Sequence, residues 1–242
     1  MKFKNKKILL IMGSILLLLL IILLALYTGC LRFNYPSKTE YPIRGIDISR
    51  HQNNIQWYLI DTTEVHFVYI KATEGSDFID RKFSYNWKKA WERNIPVGAY
   101  HFFTFCKSGN DQANNFINTV PKLSEILPPV IDLEYGGNCK TSRLSKNEIL
   151  KEIKIFEEKI HNYYGKKPIL YVTQEFYEDF LMDKFHDNPL WYRNIYRSPK
   201  IKGDRNWLFW QYSNRGHMNG INTYVDLNVF HGNKKDFKRL LN

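Results

Sequence analysis

The sequence predicts an α/β fold: an irregular TIM-like β/α barrel preceded by an N-terminal transmembrane helix. Three observations predict it. Short apolar runs rich in β-branched and aromatic residues alternate with longer amphipathic stretches, the pattern of βαβ units and a mostly parallel sheet. Eight such runs can be traced, and helical stretches thin out toward the C-terminus. Acidic residues fall at the C-terminal ends of several runs, the end at which barrels carry their chemistry. An open doubly wound sheet is the alternative.

The chain has 242 residues. Residues 1–30 read as a membrane anchor or signal segment. Lys2, Lys4, Lys6 and Lys7 form a positive cluster, and an apolar run follows from Ile8 to Tyr27. That run supplies the ~20 residues a helix needs to cross the hydrocarbon core. It exceeds the apolar core of a cleaved signal peptide, roughly 7–15 residues. The basic end is expected to stay in the cytoplasm, with the remainder outside. Cys30, after Thr28 and Gly29, suggests a lipoprotein signal, but Tyr27 fits that pattern poorly. An uncleaved single-pass anchor is therefore preferred to lipidation. Residues 31–41 read as a linker, and 42–242 as one domain with a sizeable core.

Within that domain, Ile43 to Ser49 is the first expected strand and His66 to Lys71 the second. Asp80 to Asn94 has helical spacing, with Phe83, Trp87, Ala90 and Trp91 on one stripe. Pro96 to Phe103 is a strand, Asp111 to Val120 a helix, and Pro128 to Glu134 a strand. Ser145 and Glu148 have capping-box spacing. The helix they open is expected to stop at Gly165. Pro168 to Val172, Leu190 to Tyr192, Trp207 to Tyr212 and Tyr224 to Val229 complete the eight strands.

From Pro42 onward there are 29 Lys and Arg against 23 Asp and Glu, a net of +6. A basic exported domain suits an anionic partner such as a cell wall, although the same charge serves general solubility. Dispersed charge and export make nucleic acid a poor partner. Cys106 and Cys139 can pair outside the cytoplasm or remain two thiols. No metal-ligand spacing and no Gly-rich phosphate loop occurs, so neither a metal nor a cofactor is expected. A monomer is expected.

The acids carry the functional signal. Asp132 and Glu134 end the run Leu127 to Glu134. Residues i and i+2 of a strand share a face, so the two carboxyls would sit side by side. Mutual repulsion and desolvation raise the pKa of at least one. A held proton beside an ionised group is what glycoside hydrolysis uses. Taken alone, the pair is equally a solvated strand end. Asp47 and Asp226 lie in similar apolar runs. For either one, a satisfied buried carboxylate is the simpler reading, but four acids at strand ends of one barrel point to a site.

The segments GIDISRHQ (45–52), FVYIKATEG (67–75), VGAYHFF (97–103), LPPVIDLE (127–134), PILYV (168–172), LFWQYS (208–213) and GINTYVDLNVF (220–230) resemble, in order, those of glycoside hydrolase family 25. These are the Chalaropsis-type lysozymes and their phage endolysin relatives. The resemblance implies an irregular barrel with fewer than eight helices. It implies hydrolysis of the β-1,4 bond between N-acetylmuramic acid and N-acetylglucosamine in peptidoglycan. By motif, Glu134 matches the general acid. Asp132 matches the carboxylate that orients the substrate's 2-acetamido group or handles water. Asp47 and Asp226 match the two remaining acids.

Tyr69, Tyr100, Tyr171 and Trp210 lie in these motifs and are candidate sugar-contacting aromatics, with Gln211 as a candidate sugar hydrogen-bonder. Lys71 and Glu74 are expected to pair at the cleft rim, and His101 to be structural. The segment around Tyr192 and Arg193 departs from the family, where smaller or apolar residues are usual. Two bulky side chains there are expected to narrow the cleft. A chitin-type N-acetylhexosaminide hydrolase and a non-catalytic glycan-binding barrel are the competing readings.

Overall fold

A computed structural model describes residues 2–136, 144–203 and 205–241. Its strands are β1 (Arg44–Ile48), β2 (Phe67–Glu74), β3 (Phe78–Ile79), β4 (Val97–Phe102), β5 (Val130–Leu133), β6 (Ile169–Thr173), β7 (Leu190–Arg193), β8 (Phe209–Met218) and β9 (Ile221–Phe230). They pair in the order β1-β9-β8-β7-β6-β5-β4-β2-β3, and β1 also pairs with β2. That last pairing closes an eight-stranded barrel, with β3 as a short flap outside it. An open doubly wound sheet is therefore excluded.

The barrel is not uniformly parallel. The β1–β2, β2–β4, β4–β5, β5–β6, β6–β7 and β7–β8 pairs are parallel. β9 runs antiparallel to both β8 and β1. The cause is local. Only Asn219 and Gly220 separate β8 from β9, and Gly220 takes φ +87°. Two residues join antiparallel strands but cannot cross over to a parallel one.

Among the described residues, six α-helices accompany the strands: α1 (Lys2–Thr28), α2 (Phe83–Glu92), α3 (Gly109–Thr119), α4 (Lys146–Tyr164), α5 (Gln174–Phe176) and α6 (Lys234–Arg239). α4 starts as its sequence dictates. The Ser145 side chain accepts from the Glu148 N–H, and Glu148 accepts from the Ser145 N–H at 2.7 Å. It stops at Gly165, whose φ of +72° is available to glycine without strain. Ile149, Ile153, Phe156 and Ile160 form its buried stripe.

Strand alternation divides the core in two. Outward residues such as Ile46, Ile70, Ile131, Leu133, Leu170 and Tyr192 pack under the helices. Inward residues Phe67, Tyr69, Val130, Ile169, Trp191, Phe209 and Phe230 fill the barrel's lower interior, and Phe237 of α6 packs with them. Two glycines make room for this aromatic layer. A Cβ on Gly45 would lie 2.5 Å from the Phe67 ring, and one on Gly98 would lie 2.2 Å from the Tyr69 ring. Because the lower barrel is filled, any cleft must open at the other end.

The N-terminal stretch Lys6–Thr28 has a mean hydropathy of 3.3, and no residue of its apolar core is buried by the rest of the protein, although Tyr27 at its end lies under the Arg215 guanidinium. It is long and apolar enough to cross a bilayer, and no buried core helix is so uncovered. Residues 31–41 do not hang free as a linker would. The Asn34 amide donates to the carbonyls of Ile195 (2.7 Å) and Tyr212 (2.8 Å). Tyr35 packs edge-on against Tyr212, and Tyr41 is buried against Trp207 and Trp210. Apolar and amide side chains in this short segment find partners on the outside of β8. Cys139 lies outside the described residues, as does any pairing through it.

Candidate active site

Each inward-facing row of the barrel changes character one step along its strand. Gly45 is followed by Asp47, Tyr69 by Lys71, Val130 by Asp132 and Glu134, Ile169 by Tyr171, Trp191 by Arg193, and Phe209 by Gln211. On the antiparallel β9 the same step runs backward, from Phe230 to Asn228 to Asp226. The period of two therefore lays a polar layer on the aromatic floor. Its upper surface is a cleft of about 300 Å³, lined among others by Asp47, Tyr100, Asp132, Glu134, Tyr171, Trp191, Arg193, Gln211, Asn214 and Asp226. That volume is at the lower end for small-molecule clefts.

A continuous hydrogen-bond chain fixes one side. Trp191 Nε1 donates to Asn228 Oδ1 at 2.9 Å, and Asn228 Nδ2 donates to Asp47 Oδ2 at 2.7 Å. Gln211 Nε2 donates to the same oxygen at 3.0 Å, while the Tyr171 hydroxyl donates to Gln211 Oε1 at 3.0 Å. All five side chains are buried. A network satisfied at every member holds its groups in one geometry.

The four carboxyls all hold their protons more tightly than free ones. Burial lifts Asp47 to about 6, although its two amide donors oppose the rise. Burial also lifts Asp226, helped by the Asp47 charge, because the two residues face each other across β1 and β9. Asp132 rises well above the carboxylate range through burial and the neighbouring Glu134. Burial raises Glu134 as well, but Arg193 and Lys71 pull it back down. Among the described residues, Asp132 Oδ1 is buried with no hydrogen-bond partner. Of the four carboxyls, Asp132 is the one with a buried oxygen that no donor reaches among the described residues.

Among the candidate residues, Tyr100, Tyr171 and Gln211 line the cleft with the four acids. Both ends of the Gln211 amide are occupied by Asp47 and Tyr171, so it orients an acid rather than offering itself to a sugar. Three candidates, Trp210, Tyr69 and Lys71, are not among the residues that line the cleft. Trp210 is buried on the outer side of β8, where its Nε1 donates to the Asn194 carbonyl at 2.8 Å. It neighbours Gln211 in sequence, so only one of the two can face inward. Tyr69 faces inward but lies in the floor, fully buried, with its hydroxyl donating to the Pro128 carbonyl at 3.2 Å. Lys71 pairs with Glu74 at 2.7 Å and lies over the Phe102 ring.

His101 sits on the outer side of β4. Its Nδ1 is 2.7 Å from Thr73 Oγ1, its Nε2 is 3.2 Å from Gln112 Oε1, and its ring stacks on Phe156. Burial drops its pKa to about 3, so it stays neutral behind the sheet. The departure at β7 also resolves by alternation. Tyr192 points into the outer core and does not narrow the cleft, whereas Arg193 points in. Trp191, Asn214 and Asn228 were not anticipated, although the i, i+2 relation to Arg193 was available for Trp191. Among the described residues, no group of three His, Cys, Asp or Glu is arranged to hold a metal ion.

A closed β/α barrel with four inward carboxyls in a cleft at its C-terminal end has the architecture and chemistry of a glycosidase. The family model for glycosyl hydrolases family 25 matches residues 46–221. The uncharacterized protein YegX of Escherichia coli K12 is 36% identical over 203 residues, 82% of this chain and 73% of that protein. Lysozyme M1 of Streptomyces globisporus is 30% identical over 83% of this chain and 71% of its own length. A family 25 glycosyl hydrolase from Bacillus anthracis superposes with a TM-score of 0.80 at 41% identity, covering 85% of this chain and 96% of that one. The chain belongs to glycosyl hydrolase family 25, and is a glycoside hydrolase of the lysozyme and muramidase kind.

Proposed function

We propose that the cleft cuts the β-1,4 bond between N-acetylmuramic acid and N-acetylglucosamine in peptidoglycan. Glu134 is the general acid. It is partly exposed in the cleft and raised in pKa by burial, so it can carry a proton at working pH and hand it to the glycosidic oxygen. As the C1–O bond breaks, the substrate's own acetamido oxygen closes on C1. Asp132 accepts the acetamido N–H and balances the positive charge that develops on that group. Water then opens the ring at C1 and returns its proton to Glu134.

The observation that carries this reading is the buried Asp132 Oδ1 without a donor, beside Glu134 on the same strand face. A substrate N–H supplies that donor and favours the ionised form of Asp132. Asp47 and Asp226, opposite, keep the local field negative and hold a proton on their neighbours. Tyr100, Tyr171 and Trp191 offer ring faces and edges to the sugar.

The apolar Lys6–Thr28 helix holds the enzyme, a monomer, at the outer side of the cytoplasmic membrane, with residues from the thirties onward packed on the barrel. The test of the activity is digestion of purified peptidoglycan by the full chain in detergent micelles, followed by borohydride reduction. Muramitol at the new ends supports the proposal. Glucosaminitol, cleavage of chitin alone, or no cleavage contradicts it. Inversion at C1 in the first-formed product contradicts acetamido participation while leaving the bond assignment intact.

A further inference from the structure

Arg193 is a cleft cation that lowers the pKa of nearby acids by its charge but pairs with none of them among the described residues. It ends β7 on the inward face, two residues beyond Trp191, and lines the cleft with Asp47, Glu134 and Asp226. Among the described residues its side chain makes no hydrogen bond and no ion pair. Lys71, the other nearby cation, is tied to Glu74 at 2.7 Å. A guanidinium placed only to neutralise an acid would pair with one, and four are at hand. This one lines the cleft with its hydrogen-bonding capacity unspent among the described residues.

A cleft with four carboxyls repels an anionic ligand group unless a cation receives it. A guanidinium presents a planar fork of N–H donors that matches a carboxylate, or an amide carbonyl, more closely than an ammonium does. N-acetylmuramic acid differs from N-acetylglucosamine in one feature: a lactyl ether on O3 that ends in a carboxyl group. In the wall that group carries the stem peptide as an amide, and in bare glycan it is a carboxylate.

We propose that Arg193 binds the lactyl carboxyl group of muramic acid, as carboxylate or as the peptide-bearing amide, and so discriminates muramoyl glycan from chitin-like glycan. This rests on the muramidase reading above. It makes Arg193 a specificity-determining residue of the same cleft, acting before the bond is broken.

The test uses the full chain in detergent micelles with Glu134→Gln as a background that binds without cutting. Calorimetry compares a peptide-free tetrasaccharide of alternating N-acetylglucosamine and N-acetylmuramic acid with chitotetraose. Adding Arg193→Ala is expected to weaken the muramoyl ligand roughly 10- to 100-fold, the range of a lost charge-assisted hydrogen-bonded pair. Chitotetraose affinity is expected to fall by less than about threefold on the same basis, since no such pair is lost. Arg193→Lys, which keeps the charge but not the fork, is expected to fall between. It also stands in if the alanine variant does not fold. An equal loss on both ligands overturns the proposal and makes Arg193 a general electrostatic element. No loss on the muramoyl ligand overturns it outright. If the Glu134→Gln background binds chitotetraose but not the muramoyl ligand, the muramidase reading itself has failed.

Discussion

Replacing Asp47 by Asn tests the electrostatics of the cleft without involving turnover. Asp47 is buried, and its Oδ2 receives both the Gln211 and the Asn228 amide. An asparagine oxygen can accept the same two donors, and its amide would then face the remaining acids. Burial holds the Asp47 carboxyl at about 6 against an ordinary value of 3.8. The sign follows from linkage. Below pH 3.8 both folded and unfolded chains carry the proton, and stability is whole. As pH rises the unfolded chain ionises first, and stability is lost until the folded carboxyl ionises near pH 6. The loss at pH 8 is on the order of 3 kcal/mol, about half of it already developed by pH 5. Asp47→Asn escapes this loss. The stability difference, variant minus wild type, should therefore widen in the variant's favour between pH 4 and pH 7 and then level off. The comparison matters because His101, held near 3, works the other way as pH falls. Urea unfolding followed by tryptophan fluorescence measures it. A difference that is flat, or that narrows as pH rises, refutes the argument that Asp47 sits in a proton-retaining site.

Asp132→Asn should leave the chain folded and lower kcat by about 10²- to 10³-fold, the range for removing one preorganised charge from a transition state; steady-state release of reducing ends checks it. His101→Ala should reduce stability by roughly 2–4 kcal/mol near neutral pH, through the lost ring stacking and the Thr73 hydroxyl left without its partner, whereas Gln112 keeps its bonds from Thr104. Its effect on kcat should be small. The penalty should shrink as pH falls below 6.5, where the neutral His101 of the folded wild type becomes a liability and the variant has none; urea midpoints at two pH values measure this.

Much of the barrel was legible because its strands carry their burial pattern openly. Ile131 and Leu133 go outward while Asp132 and Glu134 go in, and the period of two makes one choice imply the other. The same rule, applied to Trp210 and Gln211, would have removed Trp210 from the cleft. Applied to Trp191 and Arg193, it would have added Trp191. Tyr69 passes the alternation test and still lies below the cleft, since depth along a strand depends on where neighbouring strands place their polar layer. The antiparallel β9 was hidden for a different reason. Its signal is the Asn219-Gly220 dipeptide between segments of mixed polarity, where hydrophobic alternation fades. Residues 31–41 read as a linker because their contacts are amide-to-carbonyl bonds and aromatic edges on a distant strand, which no local pattern encodes. The need of Asp132 for a donor is likewise a property of packing around one oxygen.

Mass spectrometry of the muropeptides released by wild type and by Glu134→Gln tests the central claim most directly. Glutamine keeps the shape of the side chain but carries no transferable proton. Wild type should release fragments ending in muramic acid, and Glu134→Gln should release almost none while still binding glycan. Near-normal release by the variant would contradict the assignment of Glu134 as the acid.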